Sequence, residues 1–222
     1  MSKLICIILL LASCITNARE IELTRRNSYL LSGPINGMTM AIHTATIAAM
    51  SASTADEVYV LVYSPGGAVQ PVLFAEPVLK GLKNVSTVTI MAASMGAAIV
   101  QVLPGRRYIV QRGQMLFHRI RFDFEGEVTL DTVDKMREFL QADDKVVNHM
   151  CHNRLLIPYS QYVSNITNKN WILDAREALQ AGAVDEIIVA KCNDALKALN
   201  VQVPTYNEYM GIPVSRNICD LL

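Results

Sequence analysis

The amino-acid sequence predicts an α/β fold in which helices connect the strands of a mostly parallel β-sheet. Hydrophobic residues account for 51% of the 222 residues and charged residues for 18%, which is too apolar for a disordered chain. Aromatic residues account for only 6%, whereas Ala, Val, Ile, Leu and Met are abundant, as is typical of buried helices and parallel strands. Strand and helix patterns alternate along the chain, which implies parallel strands joined by right-handed crossovers.

The first half of the chain predicts three strands and two helices. The clearest strand is the β-branched and aromatic run VYVLVY, which ends abruptly at Ser64-Pro65-Gly66-Gly67. In chain order the predicted elements are a strand at 28–31, a helix at 38–52, the strand at 58–63, a helix at 68–82 and a strand at 85–91.

The second half predicts further short strands and one long helix. The elements are a small-residue helix at 94–103, short strands at 107–110 and 115–117, a long helix from 128 to about 151, a helix at 175–181 and a strand at 184–190. The long helix is charged and amphipathic. Its apolar face needs covering and consists of Val133, Met136, Leu140, Val146 and Val147.

Residues 1–18 have the layout of an export signal, and residues 19–222 form one domain. An apolar run at 4–12 is too short to span a membrane, for which about 20 residues are needed. The sequence LASC at 11–14 resembles a bacterial lipobox that would anchor the protein through Cys14, whereas TNA at 16–18 resembles a cleavage site before Arg19. We therefore expect an exported protein, periplasmic or lipid-anchored. The alternative is an uncleaved N-terminal helix, which would leave the protein in the cytoplasm.

Charge and cysteine content exclude several classes of function. Twenty basic and twenty acidic residues cancel, so no net field attracts nucleic acid. The five cysteines are irregularly spaced, and no disulfide framework is expected. His149, Cys151 and His152 lie close together, but no fourth ligand is evident nearby, so neither a metal nor another cofactor is expected.

Two strand-to-helix junctions carry small residues, which allow the backbone to approach another group closely. Gly66 and Gly67 follow the strand at 58–63 and can expose backbone N–H groups to an anion. Ser94 stands at the start of the helix at 94–103, where a serine ordinarily caps the helix. His118 follows the strand at 115–117. Each feature alone has an ordinary structural explanation.

Together these motifs resemble the proteolytic subunit of the Clp protease family. The resemblance covers most of the chain and rests on four ordered segments, which are LLSGPI at 30–35, SPGG at 64–67, AASMGA at 92–97 and MLFH at 115–118. It implies a ClpP/crotonase-like parallel sheet with repeated ββα units and a protruding handle helix. It also implies Ser94 as nucleophile, His118 as general base, and the N–H groups of Gly67 and Met95 as the oxyanion hole.

Two departures from the family affect the expected site. Asn170 occupies the position of the third triad residue, where the family normally carries Asp. Asn can accept from a histidine N–H but supplies no negative charge. Asp174 is the alternative third member. Arg119 and Ile120 replace the Gln-Pro pair that usually follows the histidine, so the resemblance supports formation of one ring better than stacking of two.

The resemblance implies a serine endopeptidase that cleaves peptides or unfolded proteins as the subunit of a ring, heptameric and either single or double. The chain has no GxxxxGK[ST] phosphate loop, so an AAA+ ATPase partner, if the protein is cytosolic, would be a separate chain. The alternatives are a catalytically weak or inactive scaffold, an exported peptidase of the signal-peptide-peptidase type with Lys80 or Lys83 as base, and an acyl-CoA crotonase.

Overall fold

The structure is a computed structural model that describes residues 18–121, 129–167, 169–204 and 215–222. Its strands are β1 (Arg19–Leu23), β2 (Ser28–Ser32), β3 (Val58–Ser64), β4 (Val85–Ala93), β5 (Arg107–Phe117), β6 (Trp171–Asp174), β7 (Glu186–Cys192), β8 (Gln202–Pro204) and β9 (Ser215–Asn217). Its helices are α1 (Gly37–Ser53), α2 (Val69–Lys80), α3 (Met95–Val102), α4 (Leu130–His152), α5 (Tyr159–Ile166), α6 (Ala175–Gln180) and α7 (Asp194–Lys197). The predicted export signal, including Cys14, lies outside the described residues except for Ala18.

Among the described residues, the main sheet has the strand order β1-β7-β5-β4-β3-β2, and β6 pairs with β5. All of these pairs are parallel except β5 with β6. The predicted α/β class with a mostly parallel sheet is therefore confirmed. No helix in the described ranges is long and apolar enough to span a bilayer.

The sheet is buried on both faces, which explains the unbroken apolar run in β3. Val58, Val60 and Val62 face the core beneath the helices. Tyr59 and Leu61 face a second core on the opposite side. A parallel strand covered on both faces needs no polar alternation, and all seven residues of β3 are buried.

The region 107–117 forms one strand, not the two short strands that the sequence predicts. The exposed pair Gln111 and Arg112 resembles a turn in the sequence. In the sheet, Thr89 pairs with Ile109 whereas Met91 pairs with Gln114, so the extra residues of β5 are absorbed by an irregularity in the register. The sequence pattern does not predict the short elements β1, α5, β6, α7, β8 and β9.

The sequence indicates no disulfide framework, but the structure contains a disulfide between Cys192 and Cys219 that the cysteine spacing does not predict. It links the end of β7 to a 3₁₀ turn at Ile218–Asp220. Val203 and Ile218 from the C-terminal segment pack into the second core. A bridge that closes 27 residues stabilises a fold by roughly 3 kcal/mol in the chain-entropy model.

Arg107 and Asp185 form an ion pair that fixes the beginning of β5. The Arg107 side chain is only 5% exposed, and its Nη2 donates to Asp185 Oδ1 at 2.5 Å. Its Nη1 donates to Gln101 Oε1 and to the carbonyl of Gly182. Burial alone would raise the pKa of Asp185, but hydrogen bonds and the charge of Arg107 outweigh it and lower that pKa below its ordinary value.

The long helix α4 divides into an outer part and a packed part. Along its first half, Val133, Met136 and Leu140 are only half-buried, and the groove beside them has a volume of about 470 Å³. Toward its end, Val147 is buried in the core beneath the helices, but Val146 is 48% exposed and does not belong to the covered face. The predicted apolar face is therefore covered only at its C-terminal end within the described structure.

Candidate active site

The two junctions identified from the sequence meet at one edge of the sheet, beyond the carboxyl ends of β3, β4 and β5. Ser64-Pro65-Gly66-Gly67 follows β3, Ser94 follows β4, and His118 follows β5. These strands are adjacent and parallel, so their ends come together. The backbone N–H of Ser94 donates to the carbonyl of Leu116 at 2.9 Å, which joins the serine to the histidine strand.

Ser94 lies on a strained turn. Its backbone has φ 54° and ψ −122°, a conformation that a non-glycine residue rarely adopts and that costs about 1–3 kcal/mol. Although Ser94 occupies the N-cap position of α3, its side chain makes no capping hydrogen bond to the described backbone. The ordinary explanation for a serine at a helix start therefore does not apply. A sharp strand-to-helix turn that presents a serine hydroxyl is typical of nucleophile elbows.

Gly66 and Gly67 allow the loop after β3 to contact the Ser94 turn directly. A Cβ on Gly66 would lie 2.6 Å from the Ser94 Cβ and from the carbonyl oxygen of Ala93. A Cβ on Gly67 would lie 2.2 Å from the carbonyl oxygen of Ile35. Both glycines also have positive φ angles, 90° and 145°. No other residue type fits at either position.

Two backbone N–H groups near Ser94 are available to an incoming oxygen. The bridge between Ile35 and Gly67 uses the N–H groups of Ile35 and Ala68, at 2.8 Å each, and leaves out that of Gly67. Met95 is the first residue of α3, so its N–H has no acceptor within the helix. Neither N–H takes part in a hydrogen bond among the described residues. The positive end of the α3 dipole lies at the same place.

A cavity of about 250 Å³ joins these groups. Gly67, Ser94, Met95 and His118 all line it. The remaining wall is largely apolar and consists of Pro65, Val69, Phe117, Ile120, Arg121, Val147 and Cys151. The structure therefore brings four of the five predicted site residues to one cavity.

His118 has a defined tautomer in this structure. Its Nδ1 lies 2.5 Å from the carbonyl oxygen of Arg119. Because a carbonyl can only accept, this contact assigns a proton to Nδ1, and in the neutral imidazole the lone pair is then on Nε2. No hydrogen bond joins Ser94 to His118 within the described ranges. Catalytic contacts of this kind are often long without substrate and tighten in its complex.

Asn170 lies beside His118 in the strand register, but no hydrogen bond joins the two side chains in the described structure. β6 runs antiparallel to β5 and pairs Trp171 with Phe117, so Asn170 and His118 are the next positions along the two chains. The Asn170 side chain is exposed, and its Oδ1 accepts a hydrogen bond of 2.6 Å from Nη2 of Arg121. The oxygen that would accept from a histidine therefore accepts from an arginine in this structure.

Asp174, the alternative third member, lies at the other end of β6. It pairs with Gln114 and is four positions from Asn170, about 13 Å along an extended chain. Its Oδ1 accepts from the N–H groups of Arg176 and Glu177 at 2.8 Å each, as part of a capping box at the start of α6. The structure therefore gives Asp174 a structural contact and places it away from His118.

Other candidate bases and ligands do not gather at this cavity. Lys80 pairs with Glu76 at 2.5 Å, Lys83 is exposed, and neither lines the cavity. His149 stacks on Tyr159, and the neighbouring histidine at position 152 bonds to the carbonyl of Ile157. No group of three or more His, Cys, Asp or Glu among the described residues is arranged to hold a metal ion.

Sequence reasoning does not identify Cys151 and Arg121 as cavity residues. Burial raises the pKa of the Cys151 thiol to about 12, so the thiol stays protonated near neutral pH and is no competing nucleophile. Arg121 stands three positions after His118, which is the only signal in the sequence that places it near the site. Its contact with Asn170 depends on the pairing of β5 with β6 and cannot be read locally.

The sequence matches one known protein family. The Clp protease family matches residues 16–191, which include all three strand ends and the cavity between them. The match covers well over half of the chain and supports a ClpP-like fold with a mostly parallel sheet. The protein therefore belongs to the Clp protease family.

Proposed function

We propose that this protein is a serine endopeptidase that hydrolyses peptides or unfolded proteins through an acyl-enzyme. One observation carries the proposal above all. Ser94 is held on a strained turn, with its hydroxyl uncommitted to the described helix cap, in a cavity shared with His118. Membership of the Clp protease family supports peptidase chemistry at this cavity.

The residues of this cavity can perform both the formation and the hydrolysis of the acyl-enzyme. His118 Nε2 takes the proton from Ser94 Oγ as that oxygen attacks the scissile carbonyl carbon. The N–H groups of Gly67 and Met95 stabilise the developing oxyanion. The C–N bond then breaks, the leaving amine takes the proton from Nε2, and an ester remains on Ser94. A water molecule gives a proton to Nε2, attacks the ester and releases the acid, and Ser94 Oγ regains its proton.

We further propose that the chain acts as the subunit of a homo-oligomeric ring, as the family does. The apolar groove beside the first half of α4, which includes Met136 and Leu140, supports a role for this helix in association. Energy for unfolding substrates would come from a separate ATPase if the protein is cytosolic. Without one, short or already unfolded chains are the expected substrates.

An exported location is also a proposal, and the disulfide supports it independently of the N-terminal sequence. Structural disulfides persist in oxidising compartments and are rare in the cytosol. We expect protein isolated from cells under thiol-blocking conditions to contain a covalently linked peptide pair that includes Cys192 and Cys219. Recovery of both residues as blocked thiols would favour a cytosolic location.

The central experiment is labelling with a fluorophosphonate probe, which requires an activated serine. We expect the wild-type protein to label at Ser94, and Ser94→Ala and His118→Ala to abolish both labelling and peptide hydrolysis, because nucleophile and base fail together. Ser164→Ala is the matched control, since Ser164 is an exposed serine in α5 and lies outside the cavity lining. Hydrolysis retained in Ser94→Ala would exclude the serine mechanism.

A catalytically silent scaffold is the second candidate. The observation that favours it is the contact between Asn170 and Arg121, which leaves His118 without a side-chain acceptor among the described residues. A folded, assembled wild-type protein that neither labels at Ser94 nor cleaves peptides would establish this alternative. An acyl-CoA crotonase would likewise leave Ser94 unlabelled, but it would turn over thioesters.

A further inference from the structure

We propose that Asp144 in α4 is a positioning residue for His118 and acts through the backbone carbonyl of Arg119. The proposal deepens the proposed function and rests on it, because positioning matters only if His118 is the base. The structural part of the proposal does not depend on activity. The carboxylate of Asp144 holds the segment after β5, so that the carbonyl of Arg119 fixes the proton on Nδ1 of His118.

The contacts of Asp144 show that it is built into this segment. Its Oδ2 accepts from Nη2 and Nε of Arg119 at 2.6 and 3.1 Å, and its Oδ1 accepts from the N–H of Ile120 at 3.4 Å. Asn148, one turn further along α4, donates to Oδ2 at 3.0 Å. The Asp144 side chain is only 11% exposed whereas that of Arg119 is 50% exposed, so the carboxylate side of this ion pair is buried and the guanidinium side reaches solvent.

The contacts to Asp144 flank the carbonyl that bonds His118. The side chain of Arg119 leaves the chain just before this carbonyl, and the N–H of Ile120 belongs to the same peptide unit. Holding both sides of one peptide plane restricts its rotation. The hydrogen bond and the charge of Asp144 raise the pKa of Arg119 above its ordinary value, as expected for a charge-assisted pair.

A fixed carbonyl can replace part of what a triad carboxylate does. In serine proteases with a Ser-His-Asp triad, the buried aspartate holds the histidine in the correct tautomer and orientation and also stabilises the imidazolium. The Arg119 carbonyl supplies the first two effects, because an acceptor without a donor admits only the Nδ1–H form. An amide such as that of Asn170 can present either oxygen or nitrogen and would not enforce one tautomer.

The same helix also forms part of the cavity. Val147 and Cys151, one and two turns beyond Asp144, line it together with Ser94 and His118. Asp144 therefore joins the wall of the cavity and the histidine segment into one unit. A shift of about 1 Å in a catalytic group costs on the order of a hundredfold in rate, so loosening this unit has a measurable effect.

The test measures the His118 tautomer and the acylation rate in the same variants. We expect ¹⁵N NMR above neutral pH to show His118 as the Nδ1–H form in the wild-type protein and as a mixture in Asp144→Ala. Labelling by the fluorophosphonate probe should slow by about tenfold to a hundredfold in Asp144→Ala. Asp144→Asn should lose less, because its amide oxygen can still accept from the N–H of Ile120. Asp134→Asn, which removes an exposed ion pair with Arg137 on the same helix, should change neither measurement.

Arg119→Ala completes the design, because it removes the side-chain contact but keeps the carbonyl. Its effect on labelling should not add to that of Asp144→Ala, since both variants break one linkage. A folded Asp144→Ala protein, or Asp144→Asn if that variant does not fold, with an unchanged His118 tautomer and acylation rate would overturn the proposal. The tautomer does not depend on activity. A wild-type protein that shows the Nδ1–H form but never labels would refute the proposed peptidase while leaving the role of Asp144 to be decided by NMR.

Discussion

Replacing Asn170 with Asp is the sharpest perturbation of the site. Asn170 lies beside His118 in the pairing of β5 with β6, but its oxygen accepts from Arg121 at 2.6 Å. A carboxylate at this position has two competing cationic partners, the guanidinium of Arg121 and the imidazolium that forms during attack by Ser94. This competition determines how much the new carboxylate increases kcat/KM for peptide hydrolysis.

The contacts in the structure limit the expected increase in kcat/KM. In serine proteases with a Ser-His-Asp triad, exchanging the Asp for Asn costs about 10⁴ in rate, chiefly because the histidine adopts the wrong tautomer. Here the Arg119 carbonyl already fixes the tautomer of His118, so the new charge adds only its attraction for the imidazolium. We expect an increase in kcat/KM on the order of tenfold, which corresponds to about 1.4 kcal/mol. An exposed ion pair with Arg121 is worth up to about 1 kcal/mol and would cancel much of it.

The assay is therefore peptide hydrolysis by Asn170→Asp with and without Arg121→Ala. We expect a small gain in the single variant, and the full gain in the double variant relative to Arg121→Ala alone. No gain in the double variant would show that a carboxylate at 170 does not reach His118. Asp174→Asn is the control: Asn caps helices about as well as Asp, so this variant should keep both the cap of α6 and its activity. A hundredfold loss of activity in Asp174→Asn would make Asp174 the third member after all.

Four further outcomes are expected. Met136→Glu and Leu140→Glu should weaken self-association, measured by sedimentation velocity, because both residues line the groove on α4. An unchanged sedimentation profile would mean that the groove is covered within the subunit. Cys219→Ser should lower the free energy of unfolding by roughly 3 kcal/mol in denaturant titration, and an unchanged midpoint would indicate that the bridge does not form. Asp185→Asn should be destabilised near neutral pH. Burial alone would raise the pKa of Asp185, but its arginine partner lowers that pKa below its ordinary value. The difference in unfolding free energy between the wild type and Asp185→Asn should therefore shrink as pH falls through the lowered pKa, and it should not widen. Ser94→Gly should be more stable than Ser94→Ala and equally inactive.

The features that the sequence predicts are those set by local pattern. β3 is recognisable because a strand buried on both faces is a continuous apolar run, and its Gly-Gly end is recognisable because no other residue fits there. Ser94 and His118 each stand directly after a strand, but it is the resemblance to the Clp protease motifs that singles them out as catalytic candidates. Their meeting at one edge is a consequence of parallel pairing, which the alternation of elements already implies.

The features that the sequence misses depend on contacts between distant segments. β6 has only four residues, and because its exposed position 172 is an Ile that is 56% exposed, its sequence shows no alternation of apolar and polar residues. The disulfide pairs Cys192 with Cys219, and cysteine spacing alone does not determine connectivity. The acceptor for His118 is a backbone carbonyl, which every residue possesses, and only the contact of Arg119 with α4 makes this one distinctive.

The strained backbone at Ser94 can be tested by comparing the thermal stability of two Ser94 variants. A positive φ at a serine costs about 1–3 kcal/mol, whereas glycine adopts it freely but loses up to about 1 kcal/mol through its more flexible unfolded chain. Because the Ser94 side chain makes no capping bond to the described backbone, its removal forfeits no hydrogen bond of the helix. Ser94→Gly should therefore unfold at a higher temperature than Ser94→Ala, which keeps the strain and lacks the hydroxyl. Neither variant should label with the fluorophosphonate probe. A lower melting temperature for Ser94→Gly would mean that the turn is not strained, and the backbone argument for a nucleophile at this position would fail.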